Sequence, residues 1–178
     1  MGRKSQNWRF HCPSQPGMSL LETMIALAIL LIATVGILTM GMMATGTTEN
    51  QGHLAARTSE YAQDKMEQLI SLAYGDGSTD TTAFPPVATG GTGLSVGGSS
   101  NPSSPVTSPG TGYVDYLDIS GQPVASTGNW YYIRVWQISQ PSTNLKQITV
   151  TAKVKAQVGA PQGVLPQSTL VSMKTSPF

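Results

Sequence analysis

The chain has 178 residues, of which only 11% are charged, and a formal net charge of +1. That length holds one modest domain plus an accessory segment, and the near-zero charge argues against nucleic acid or an acidic substrate as partner. Glycine and proline are abundant at 19 and 12 residues, and Cys12 is the single cysteine.

The basic residues are unevenly placed. Arg3, Lys4 and Arg9 precede a 21-residue stretch, Met24 to Ala44, that contains neither charge nor proline. A helix of about 20 apolar residues crosses the roughly 30 Å hydrocarbon core of a bilayer. The basic flank before it and the polar Thr/Asn/Glu run after it put the N-terminus in the cytoplasm and the remainder outside. A cleaved secretory signal fits poorly, because its apolar core is about 7–15 residues long and ends in a small-residue cleavage site. A buried helix this apolar would need a larger protein around it. Cys12 is no lipidation site, since Asn7 to His11 form no apolar core before it.

The start of the stretch reads Gly17-Met18-Ser19-Leu20-Leu21-Glu22-Thr23-Met24. A carboxylate in a bilayer-spanning segment costs up to about 2.5–3.5 kcal/mol at mid-membrane, and less near the interface. Alone, Glu22 reads equally as a residue at headgroup level or as a favourable negative charge at a helix N-terminus.

Together these residues resemble the N-terminal signature of type IV pilins and pseudopilins: glycine, then Phe or Met, then a Ser/Thr-Leu-x-Glu string and an apolar run. The resemblance implies an α+β pilin fold, a long N-terminal transmembrane helix packed on a C-terminal antiparallel sheet. It implies that a prepilin peptidase cuts between Gly17 and Met18 and methylates the new N-terminus at Met18, leaving 161 of the 178 residues. It further implies that Glu22 pairs with the terminal amine of a neighbouring subunit and sets axial register during assembly. Removing either partner of such a pair leaves an uncompensated charge in a low-dielectric core.

Thr39 stands where many major pilins carry proline, and a chain cut after Gly17 has no cysteine for the C-terminal disulfide of several major families. Both departures point to a minor subunit. The strings SLLETMIALAIL and Ala62 to Leu69 look most like PilV-type minor pilins, with the type II secretion minor pseudopilin I similar in the same region. The partners implied are the prepilin peptidase, other pilin-type subunits and the inner membrane, with the C-terminal domain periplasmic before incorporation into a pilus or pseudopilus. A non-filament, signal-anchored periplasmic binding domain is the remaining alternative.

By this reading the leader is 1–17, the membrane and assembly half of the helix 18–44, and an amphipathic half 45–74. Leu54, Tyr61, Met66, Leu69, Ile70 and Ala73 recur at three- and four-residue steps, with Glu60, Asp64, Glu67 and Gln68 opposite. Gly75 and Gly77 predict the stop. A helix from Ser19 to Ala73 would be roughly 80 Å long. Gly36, Gly41, Gly46 and Gly52 weaken its middle, although glycine is common in membrane helices. His53 reads as a solvated helix-face residue.

Residues 75–112 are rich in Gly, Ser, Thr and Pro and read as a long surface loop with too little apolar surface to pack well. Ala88 to Gly93 is not a phosphate loop, since no lysine follows. From 113 to 178 the pattern turns to strands: Tyr113–Ile119, Asn129–Ser139, Leu145–Val158 and Ser168–Thr175, with a hairpin turn at Pro141 to Asn144. Ile148, Val150, Ala152, Val154, Ala156 and Val158 are expected inward. Tyr131, Ile133 and Val135 are expected on one face of their strand. Trp130, Tyr132, Arg134 and Trp136 are then a second, partly covered face, with some prospect of a protein-binding patch. Asp115 and Asp118 offer two carboxylates three apart for calcium, as in some pseudopilins, which is weak support. No nucleophile–base pair and no metal-ligand spacing is visible, so neither an enzyme nor a bound cofactor is expected.

Overall fold

The computed structural model describes Gly17 and residues 19–104, 112–155 and 165–177. The chain divides into two compact units, residues 1–44 and 45–178. One helix, α1 (Leu20–Ser71), supplies elements to both.

In the first unit, α1 is a regular helix whose side chains are exposed along its length, among them Leu20, Ile29, Leu30, Ile32, Ile37 and Met40. It is the described helix long and apolar enough to cross a membrane, with no part of that window buried by protein. Its threonine hydroxyls are satisfied within the helix, as lipid demands. The Thr34 hydroxyl donates to the carbonyls of Leu30 and Leu31, and that of Thr39 to Val35 and Gly36, so neither presents an unpaired hydroxyl to hydrocarbon. At Thr39, where proline would remove an N–H and kink the helix, α1 continues unbroken.

The second unit is an antiparallel sheet packed on the outer half of α1. The α+β arrangement expected from the sequence is the one observed. Strands β1 (Gly97–Gly98), β2 (Val114–Leu117), β3 (Pro123–Val124), β4 (Tyr132–Ser142), β5 (Leu145–Val154) and β6 (Gln167–Thr175) are ordered β3-β2-β4-β5-β6, with β1 pairing onto β4. The β4–β5 hairpin closes at Ser142↔Leu145, with a register shift between Ser139 and Ser142 that accommodates Pro141, since proline is tolerated in sheets at edges and bulges.

The core joins Tyr61, Ala62, Met66 and Leu69 of α1 to Leu117, Tyr132, Trp136, Ile138, Ile148, Val150, Ala152 and Val154 of the sheet. Each fully buried large side chain contributes about 1.5–3 kcal/mol. The inward set on β5 is therefore as expected for Ile148 to Val154, while Ala156 and Val158 lie outside the described residues. The faces of β4 differ from expectation. Tyr132 and Trp136 are buried in the helix-facing core, and Tyr132 meets Tyr61 edge-on at 4.9 Å between ring centroids. Ile133 and Val135 on the opposite face are also buried. Alternation defines two faces but cannot say which meets the helix when both sets are apolar. Arg134, expected on the second, partly covered face, is buried by being paired. Of that aromatic set Trp130 alone sits at the periphery, 5.3 Å from Tyr116, with the Lys155 ammonium over its ring.

Two further expectations shift. Along α1 the buried stripe runs through Thr58, Ala62, Lys65 and Leu69, and Ile70 and Ala73 are exposed. Residues 75–104 pack more firmly than their composition suggests. Leu94 is fully buried, Thr81 nearly so, Asp80 bridges to Val87, and β1 extends the same side of β4 that β2 uses. Residues 105–111 of that stretch lie outside the described set. At Gly98, φ is +85° and a Cβ would lie 2.1 Å from the Trp136 carbonyl oxygen, so only glycine permits this pairing.

Candidate functional site

The N-terminal motif sits at the start of α1. The Glu22 N–H donates to the Ser19 hydroxyl at 3.2 Å and to the Ser19 carbonyl at 3.0 Å, and the Thr23 N–H to the same carbonyl at 3.2 Å. Ser19 is thus the N-cap and Glu22 the third helical residue, the Ser-x-x-Glu order of a capping box. The motif serine absorbs one of the orphan amides of the first turn, and Glu22 places a negative charge at the positive end of the helix. Gly17 and Glu22 are both exposed, while Met18 lies outside the described residues. Glu22 is therefore an exposed carboxylate at the mouth of an exposed apolar helix, open to a partner supplied from outside the chain.

A second constellation lies in the sheet unit, and sequence reasoning missed it. Lys65 of α1, Asp115 of β2 and Arg134 of β4 form a buried ionic cluster. The Lys65 ammonium is 2.7 Å from the Asp115 carboxylate, with side-chain exposures of 0% and 4%. Arg134 grips the same carboxylate with two parallel N–H donations at 2.7 and 2.8 Å, and reaches Asp64 at 2.9 Å. Lys65 also donates to the Thr81 carbonyl and lies 4.1 Å from the centre of the Trp136 ring. Burial would raise the Asp115 carboxyl, but the adjacent Lys65 and Arg134 charges outweigh it and hold it below the usual carboxylate range. Burial pulls the Lys65 ammonium below its ordinary value, partly offset by Asp115.

The two carboxylates weighed for calcium are engaged within the fold. Asp115 is consumed by two internal cations, and the Asp118 carboxylate accepts the Ser120 and Gln122 amides of the following turn. Among the described residues no group of three or more His, Cys, Asp or Glu is placed to hold a metal. The overlooked signal was Lys65 itself, four residues after Tyr61 and four before Leu69, hence on the apolar stripe.

Two other lysines hold backbone carbonyls at and just beyond the end of α1. The last carbonyls of a helix have no internal partners. Lys174 of β6 donates to the Ile70 carbonyl, and Lys146 of β5 donates to Tyr74 and Leu94 carbonyls at 2.7 and 2.8 Å. Just beyond, the Thr79 hydroxyl and amide hold the Asp76 carboxyl below its ordinary range.

Residues 12–38 match the family model described as the prokaryotic N-terminal methylation motif. The match covers residues 12–17, the Ser19–Glu22 helix start and most of the apolar half of α1, and it supports a type IV pilin-like chain of the general pilin or pseudopilin kind, anchored by its N-terminal helix. Comparison with curated proteins and with solved structures gave no match.

Proposed function

We propose that this chain is a minor subunit of a type IV pilin-like filament, closest to the PilV type. It is made with a leader of residues 1–17, cut between Gly17 and Met18 by a prepilin peptidase, and methylated at the Met18 amine. It is held in the inner membrane by α1, with the sheet unit periplasmic, until it joins a filament through the exposed apolar half of that helix. Glu22 receives the Met18-type terminal amine of a neighbouring subunit and fixes the axial step between them.

The observation that carries this reading is a coincidence at one place. The methylation motif over 12–38 falls on a capped helix start whose only acidic first-turn residue is the exposed Glu22. A simple signal anchor needs the apolar helix but has no use for a carboxylate at that position. An unbroken helix at Thr39 and a cysteine-free sequence after residue 12 support a minor role.

The test is the intact mass of the protein recovered from native membranes. The expected mass is that of residues 18–178 plus one methyl group. A chain still beginning at Met1, or one cut after Ala44, overturns the reading. Co-purification with sheared pili rather than with a secretion apparatus then identifies the filament.

A further inference from the structure

The helix side and the outer side of the sheet unit carry matching features. On the helix side, Phe84 is 67% exposed and lines a groove of about 460 Å³ with Glu60, Asp64 and Glu67 of α1. Ser120 and Pro123 line the same groove, so Phe84 lies on the β2–β3 side of the helix. Arg57 pairs with Glu60, and Arg134 divides itself between Asp64 and the buried Asp115. Glu67 is exposed and has no ion pair among the described residues. The helix side thus presents an aromatic knob beside unmatched negative charge.

The outer side is its counterpart. Asp115 and Leu117 of β2 are buried toward α1, so Tyr116 and its cross-strand partner Val124 face outward. Ile119, Val124 and Trp130 line a recess there of about 530 Å³, and the Lys155 ammonium lies over the Trp130 ring. Asp118 lines it too, but its carboxylate is taken by the Ser120 and Gln122 amides. Lys153 stands on the same face opposite Ile133 and has no carboxylate partner among the described residues. Heights along α1 agree as well. Lys153 is paired with Gln167, beside the Ser168 that bonds Thr58 and Ser59. The Lys155 amide donates to Tyr131, next in the chain to the Tyr132 that meets Tyr61. Both lysines therefore stand level with residues 58–61, within about two helical turns of Glu60, Asp64 and Glu67.

We infer that the sheet unit stacks front to back on a second copy of this chain. Phe84 of one copy enters the Trp130 recess of the next, and its Asp64–Glu67 flank faces Lys153 and Lys155. Knob and recess both lie on the β2–β3 side of the unit, with the charges toward β5 from each, so one shift along α1 satisfies both contacts. A second copy is the occupant because both halves of the complementarity belong to this one chain. The two surfaces differ, which makes the contact heterologous: it leaves a front and a back free and adds copies in one direction. Exposed ion pairs supply little affinity and act on orientation. A buried aromatic side chain supplies the anchor, and tethering of both copies through α1 raises their effective concentration. The parallel orientation of the copies rests on the filament reading above, and the experiment separates the two.

Two differently tagged copies of the full chain are co-expressed and treated in native membranes with a carbodiimide, which joins a carboxylate directly to an amine in contact with it. The expected product carries both tags and links Glu67 or Asp64 of one copy to Lys153 or Lys155 of the other. Phe84→Ala should lower its yield about tenfold or more; the side chain is exposed, so the fold is spared. Glu67→Lys and Lys153→Glu should each lower the yield, and the double variant should restore it, because the reversed front of one copy again meets the reversed back of the next. A variant that merely folds poorly is not rescued in this way. Links confined to one copy, links to other proteins alone, an unchanged yield in Phe84→Ala, or no restoration in the double variant overturn the inference. Intact mass from the same membranes tests the filament reading independently. Correct processing without the two-tag link fails the stacking alone, and a two-tag link on an unprocessed chain fails the filament reading alone.

Discussion

Lys65 and Asp115 lie 2.7 Å apart with essentially no solvent at either side chain, and this pair spans the interface between α1 and β2. Arg134 completes the neutralisation from β4. A buried pair of this kind adds little when compared with well-packed apolar residues, but removing one member leaves a bare charge behind.

Asp115→Asn should therefore destabilise the folded chain by about 3–5 kcal/mol, because Lys65 and Arg134 both lose their counter-charge. Lys65→Met should cost less, since Arg134 still holds Asp115. Denaturant unfolding of the two single variants and the double variant in detergent gives the coupling directly. Equal losses in both singles would contradict the assignment of Asp115 as the shared acceptor.

Acid should act through the same carboxylate. The folded value of Asp115 is depressed below its unfolded value of about 3.9, so its contribution is present above that value and is lost as pH falls through the folded one. Asp76, also depressed, adds in the same direction. Stability measured by thermal melting should fall below about pH 4, and the fall should be shallower in Asp115→Asn, whose starting stability is already lower.

Glu22→Ala should leave processing and membrane insertion intact while abolishing recovery in sheared filaments. Ser19→Ala tests the cap separately. It should loosen the first turn of α1 by about 0.5–2 kcal/mol, read as faster amide exchange at Glu22 and Thr23, without removing the Glu22 carboxylate. Normal filament recovery of Glu22→Ala would reject the register role.

Gly98→Ala should detach β1 from β4. The positive φ and the 2.1 Å approach to the Trp136 carbonyl leave no room for a Cβ, so a loss of more than about 1 kcal/mol is expected. Faster exchange at Gln137 and Ile138 would localise it.

The long helix, its exposed apolar half, the β4–β5 hairpin and the inward residues of β5 were legible because period and length carry them. Leu20–Ser71 ends within a turn of the predicted Ala73, and Gln167–Thr175 begins one residue before the predicted Ser168. What periodicity could not carry was side-chain partnership across elements. Arg134 and Asp115 each read as exposed or ligand-seeking when taken alone, and only the β2–β4 register that sets Asp115 opposite Arg134 reveals why both are inside. Leu94 was likewise hidden in a segment whose composition signals a loop. A single large apolar residue, anchored by Lys146 on its carbonyl, ties down a stretch that composition alone describes as loose. In the N-terminal motif, Ser19 was read as part of a family string, while its capping geometry emerged only from the hydrogen bonds to Glu22 and Thr23.

The lysine that caps α1 belongs to the last strand of the sheet. Lys174 reaches Ile70 across 104 positions of sequence, so the end of α1 is finished only once β6 is in place. A chain interrupted before β6 would expose the side of β5 and leave the end of α1 uncapped. Closure of the β5 edge and completion of the helix end thereby depend on the same strand. A copy truncated before β6 would present an open strand edge and an uncapped helix end to proteolysis, while a copy that includes β6 closes both at once.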